Sequence, residues 1–271
     1  MNNLLTFVIP VRHPDNADSW SLLKKNLAQT IASISAQDHN GWQAIIVANI
    51  GSDLPPLPAN FSVEYVDYPP NPAFKQGNNE LEVFRDAVRM DKGRRLLAGV
   101  MKAASNSKYI MLVDDDDFVS RKLVSFVAAH TDANGWYIDK GYVWGDGGKL
   151  VYLYSNFSMF CGSSHIIRTD LFQLPESITA VTPEYIRTML GSHIFISKQL
   201  AANGTALAPL PFIGAIYRIG HVGTHSRSQG LWRSFFIKRD LLFRPFELLS
   251  RFKRLRPIND QIRNEFWGAQ R

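Results

Sequence analysis

The sequence predicts an α/β protein: a mixed, mostly parallel sheet flanked by helices, with a helical tail. Three observations carry this. Short apolar runs at Leu4 to Val11, Gln43 to Asn49 and Tyr109 to Val113 suit strands covered on both faces. Between the first two lies a helical stripe, Leu22, Leu23, Leu27, Ile31 and Ile34. The third run ends in four carboxylates, Asp114 to Asp117, and open α/β sheets bind ligands beyond the carboxyl ends of their strands.

In chain order, the first strand is stopped by Arg12-His13-Pro14, and Asp18 or Ser19 caps a helix over 20–36. The second strand turns at Asn49-Ile50-Gly51-Ser52-Asp53. Residues 54–60 form a Pro-rich loop, Phe61 to Val66 a third strand, and 67–79 a Pro-, Asn- and Gly-rich connection. One helical segment is expected near 80–89, and a second from Asp91 to about Ser105. This β-α-β-β-α-β order gives the parallel sheet. Ser120 is expected to cap a helix over 121–130, with Leu123, Val124 and Val127 inward. Short strands with a Gly-Asp-Gly-Gly hairpin at 145–148 fill 136–154. Ser163 to Arg168 is a strand, 183–190 and 192–203 are helical, and Ala206 to Leu210 and Ile213 to Arg218 are strands.

Composition is that of an ordinary soluble globular protein, with one cysteine, Cys161, and so no internal disulfide. That fits a reducing compartment. The amino-terminal apolar run ends at Pro10 and reads as a strand, not a signal peptide, and no apolar run reaches membrane-span length. Localisation is expected to be cytoplasmic, or peripheral on the inner face of the plasma membrane. Residues 231–271 hold ten Lys or Arg against four Asp or Glu, an excess equal to the chain's net charge of +6. The remainder is balanced, which argues against a nucleic-acid binder.

The four acids repel one another, and burying them unpaired is costly. A bound divalent cation relieves this, since hard cations prefer carboxylate oxygen. A solvated acidic turn is the alternative. Over 231–256, bulky apolar residues such as Trp232, Phe235, Phe246 and Phe252 interleave with cations, and Pro245 divides the stretch. Such a segment suits an anionic membrane surface; alternatively its apolar face packs on the domain.

Set in order, these residues resemble a family 2-type glycosyltransferase with the GT-A fold, over about residues 4–228. Phe7-Val8-Ile9-Pro10-Val11 is similar to that family's opening strand, and Ile45 through Ser52 to its second strand and turn. Lys92-Gly93-Arg94-Arg95 resembles its basic-glycine segment, and Tyr109 through Phe118 its strand and Asp-X-Asp-Asp motif. Cys161-Gly162-Ser163-Ser164 through Arg168 looks like the acceptor-side strand, and Tyr217-Arg218 like a Tyr-Arg pair near the domain's end. The resemblance implies a domain over 1–228, followed by a basic amphipathic helical tail over 229–271.

It also implies a nucleotide-sugar donor (UDP-, GDP- or dTDP-linked), Mn2+ or Mg2+, and a glycan or lipid-linked acceptor. Asp114 would contact the donor's ribose or sugar, and Asp116 would ligate the metal. Asp115, Pro10, Arg12 and Asn49 would complete donor binding, with Lys92, Arg94 or Arg95 adding positive charge. Asn49 stands where the family often has an acid that reads the base. Inverting members carry a Glu-Asp pair at a late helix start; here Ser192-His193 falls there, making His193 the candidate base and Glu184 its rival. In Gly220-His221-Val222-Gly223-Thr224-His225, His225 is favoured as metal ligand or phosphate donor. Two other classes stay open. A nucleotidyltransferase should carry a Gly-rich basic loop after the first strand, which Val11-Arg12-His13-Pro14-Asp15 is not. A non-catalytic carbohydrate- or membrane-binding protein with this fold would explain the missing Glu-Asp pair.

Overall fold

The continuous apolar runs become the middle of one sheet. In the computed structural model, which describes residues 3–74, 81–221, 230–237, 241 and 243–268, β1 (Asn3–Pro10) is buried from Leu5 onward. It lies between β2 (Trp42–Asn49) and β4 (Ser107–Leu112), both parallel to it. β3 (Phe61–Val66) adds to β2 in parallel and forms the edge of the sheet, its middle residues only partly covered. Beyond β4 come β9 (His165–Arg168), β6 (Gly135–Tyr137) and β10 (Ala208–Pro209). Within these seven strands only β9 runs against the rest, so the expected mixed, mostly parallel sheet is present. Short crossovers through α1 (Trp20–Ser35) and α2 (Leu81–Ala104) cover opposite faces with two apolar clusters.

Helix α1 begins where Ser19 accepts a hydrogen bond from the Leu22 amide at 3.3 Å, which supports Ser19 over Asp18 as its cap. The two helices expected around residue 90 are one continuous α2. Gly93 sits inside it because a Cβ there would run into Ile186 of the π-turn Ile186–Leu190, which packs on α2. Ser120 does not cap α3 (Leu123–Ala129) directly; its hydroxyl accepts from the Lys122 amide and bonds to Glu265, and the helix starts later.

A second, five-stranded sheet was not expected as a separate layer. It comprises β5 (Phe118–Val119), β7 (Lys140–Gly145), β8 (Leu150–Ser155), β11 (Ala215–Ile219) and β12 (Leu255–Pro257). The strand β12 corrects the reading of residues 229–271 as a helical tail. It pairs antiparallel with β8, and after it α8 (Asp260–Phe266) buries Phe266 against Phe118, Tyr142 and Trp144. Of the earlier tail, α6 (Gly230–Phe235) buries Leu231 and Phe235 against Val143, Tyr152 and Ile219. By contrast α7 (Pro245–Phe252) buries no residue. Among the described residues no helix is long and apolar enough to cross a membrane.

Candidate functional site

The carboxyl ends of β1 and β4, the start of the inner half of α2 and the end of β11 meet at a cleft of about 210 Å3. Its walls include Pro10, Arg12, Arg89, Asp91, Lys92, Arg95, Asp114, Asp115, Asp116, Tyr217 and Arg218. Three consecutive carboxylates therefore face cations from three other segments.

The four acids separate by partner. Asp114 forms an ion pair with Lys92, and its amide donates to Ser163 Oγ at 2.8 Å. The surrounding protein strips water from Lys92 and works against its charge, but Asp114 outweighs this and raises its pKa. Gly162 lets the pair close, because a Cβ there would lie 3.0 Å from Asp114 Oδ2 and 3.2 Å from Lys92 Nζ. Asp115 is pushed up to about 7, chiefly by burial, with Arg12 opposing and Asp116 and Asp114 adding like charge. Asp116 meets His221 Nε2 at 2.7 Å. Asp117 points inward and is fully buried, accepting from Ser163 Oγ at 2.6 Å, Cys161 Sγ at 3.3 Å and the Arg218 amide at 3.2 Å. Burial pushes its pKa well up. It ties β11 and the 161–164 loop to the end of β4, which makes it a structural member of the run.

Among the described residues no three His, Cys, Asp or Glu side chains converge as a ready-made metal site, and Asp116 with His221 is the pair that could supply two ligands. Asp116 and His221, 105 positions apart, lie within hydrogen-bond distance, so a carboxylate oxygen and an imidazole nitrogen are already side by side. Asp115 lines a small pocket with Asp116 and His221, while Asp114 is engaged by Lys92. His225, the histidine favoured from sequence, lies outside the described residues; His221 is the one seen on Asp116. Its signal was its position directly past the β11 strand end.

Several expected donor contacts are placed elsewhere. Asn49 is 3% exposed, with its carbonyl accepting from Arg95 Nη1 at 2.5 Å and its amide donating to the Tyr68 carbonyl at 2.7 Å. It does not line the cleft, and its acceptor atom is engaged by Arg95. Arg94 stacks over the Tyr68 ring, 4.3 Å to the centroid, and pairs with Asp91 away from the cleft. Arg95 does reach the cleft wall, 1% exposed, paired with Asp91 at 3.1 Å. Arg218 is held by Asp146 at 2.6 Å and by Gln29 at 2.7 Å. Sequence reasoning missed Arg89 and Asp91; they follow only from the single long α2 turning that face toward the sheet.

Glu184 is solvent-exposed in the first turn of α4 (Pro183–Tyr185) and lines no part of the cleft. His193 opens α5 (His193–Ala202), as expected. It borders a small inner cavity of about 40 Å3 that shares Lys92 and Gly191 with the main cleft. Its Nε2 is buried with no hydrogen-bond partner. Burial, then the charge of Lys92, lowers its pKa and keeps it unprotonated.

Next to it, His165 bonds through Nε2 to Ser197 Oγ at 2.6 Å and through Nδ1 to Ser164 Oγ at 3.1 Å. Burial, with His193 adding to it, pushes its pKa down to about 3. The unfolded chain takes up this proton near pH ~6.5. The resulting stabilisation is complete above that pH and is lost as pH falls toward the folded value, by at most ~1.4 kcal/mol per unit. His165→Gln should flatten the fall in urea-unfolding free energy between about pH 7.5 and about pH 5. Equal falls in the two proteins would remove His165 as its source.

No family model matches the chain, and no curated protein matches it. Solved structures with partial likeness are Staphylococcus aureus TarS 1–349 (TM-score 0.43, 12% identity over 79% of this chain) and Mycobacterium tuberculosis Rv0371C with manganese (0.36, 10%, 80%). A third is 4-diphosphocytidyl-2C-methyl-D-erythritol synthase from Anaerococcus prevotii (0.39, 9%, 92%). The alignments cover 60% of the TarS fragment, 92% of Rv0371C and 96% of the synthase.

Proposed function

We propose that the protein is a metal-dependent, inverting glycosyltransferase of the GT-A type, moving a sugar from a nucleoside-diphosphate donor to an acceptor hydroxyl. The observation that carries this is the placement of Asp114, Asp115 and Asp116 at the end of β4, in one cleft with Arg12, Lys92 and Arg95. Carboxylates alone would suit a cation and cations alone an anion. Both together suit a metal-bound diphosphate.

In this reading Asp116 and His221 would hold Mn2+ or Mg2+, and the ion would supply charge stabilisation to the leaving diphosphate. Arg12 binds the donor's negative charge, Arg95 stays in the wall on Asp91 and Asn49, and the pairing with Asp114 keeps Lys92 protonated beside it. Asp114 and Asp115 orient the ribose and sugar. His193 Nε2 takes the proton from the acceptor hydroxyl as the new glycosidic bond forms and the bond to the diphosphate breaks. Its unpaired Nε2, in a cavity that adjoins the cleft at Lys92 and Gly191, supports that role over exposed Glu184.

Turnover of a panel of UDP-, GDP- and dTDP-sugars, with and without Mn2+, tests the reaction. Donor consumption that depends on the metal is expected; equal turnover in excess chelator would overturn the reading. For the base, His193→Ala should lower kcat by about 10²- to 10⁴-fold with little change in donor KM. Unchanged kcat would take His193 out of the mechanism.

A further inference from the structure

Among the described residues of 230–252, several large apolar side chains lie exposed. Phe243 is 85% exposed and Phe246 87%, with Ile237 at 69%. On α7, Phe246, Leu249 and Phe252 share one outward face, and Phe252 contacts the ring of Phe236, which contacts Trp232. The opposite face of the same helix is polar: Glu247, Ser250 and Arg251 turn toward a cleft beneath it. Large aromatic side chains in water are costly, and a contiguous group of them on an otherwise packed body marks an interaction surface.

The charges around the group identify what covers it. Arg233, Arg244, Lys253 and Arg254 are exposed around the aromatic residues, and Glu247, the acid on α7, is engaged by Arg251 at 2.6 Å. Two copies of this surface would bring like charges together, which disfavours self-association. Aromatic side chains flanked by cations are the arrangement that inserts into the headgroup boundary of a bilayer while its basic rim meets anionic lipid. The alternative left open by the sequence, that this apolar face packs on the domain, does not hold for Phe243, Phe246 and Leu249, all of them exposed.

We infer that the outward face of α7, with Phe243 before it, docks the protein on an anionic lipid surface. The docked orientation has a consequence that rests on the transferase reading. The cleft beneath α7 is walled by Tyr152, Tyr154, Phe160 and Tyr217, and Tyr217 also lines the carboxylate cleft. A lipid-linked acceptor would therefore enter between the membrane and the donor site.

The test is co-sedimentation of the full chain with vesicles of phosphatidylcholine, with and without phosphatidylglycerol. Binding to the anionic vesicles only is expected, weakening as salt rises. Phe243→Ser with Phe246→Ser should reduce that binding by at least about tenfold. Both side chains are nearly free of protein contact, so the thermal midpoint should not move, and this separates lost docking from lost folding. Failure to bind anionic vesicles, or equal binding by the variant, would overturn the proposal. So would sedimentation showing that the wild type self-associates through these residues and the variant does not. Vesicle binding needs no donor or metal, so its outcome is independent of whether the cleft transfers sugar.

Discussion

Asp116→Asn should lower kcat/KM for sugar transfer by about a hundredfold to a thousandfold or more, at saturating Mn2+, without unfolding the protein. Asp116 has a single observed partner, His221, and stands in a row of like charges. Removing its charge relieves repulsion on Asp115 and Asp117, so the thermal midpoint should hold or rise. Asp117→Asn should behave in the opposite way. That side chain accepts from Ser163, Cys161 and the Arg218 amide in a fully buried place, and an amide cannot accept all three equally. Its variant should lose stability first. The measurement is steady-state kinetics with a melting curve for each variant. Asp116→Asn with activity within about twofold of wild type would sink the metal-site assignment.

The second large effect is on stability. Asp91→Ala should cost about 3–5 kcal/mol, because it leaves Arg95 buried beside the cleft without its carboxylate. Arg95 is 1% exposed, and its remaining neighbours are Asn49 Oδ1 and the face of Tyr68. Neither supplies a full negative charge. Asp91 also holds Arg94, which keeps the Pro69 carbonyl and the Tyr68 ring but loses its carboxylate. The double variant Asp91→Leu with Arg95→Met should recover much of the loss, since a buried pair replaced by apolar groups of similar volume is often neutral or better. Denaturant unfolding of the single and double variants checks this. A single variant within about 1 kcal/mol of wild type would show that the pair is not what orders this wall.

The parts of the fold read from sequence were those set by local pattern. β1, β2, β3 and α1 lie within a residue or so of their expected limits, because unbroken apolar runs and a capped amphipathic stripe leave few alternatives. Helix α2 was divided wrongly at residue 90, since Asp91 before a glycine imitates a helix start. What holds Gly93 inside the helix is the approach of Ile186, about ninety positions away and invisible locally. The carboxyl-terminal segment stayed open between two readings for a related reason. Its alternation of aromatic and basic residues is the same whether the aromatics meet a core or water. Phe235 and Phe266 went to the core; Phe243 and Phe246 did not.

By itself the sequence determined the α/β class, the place of the acid run at a strand's carboxyl end, and His193 at a helix start. Each follows from order along the chain: periodicity, a strand leading straight into charge, spacing to a helix end. The tertiary structure decided which chemically equivalent side chains face the cleft. Asp116 meets His221 while Asp117 turns inward, and Arg95 reaches the wall while Arg94 stacks on Tyr68. Adjacent residues on a turn or a helix point in different directions, and which direction meets the cleft is set by strands and loops brought from far along the chain.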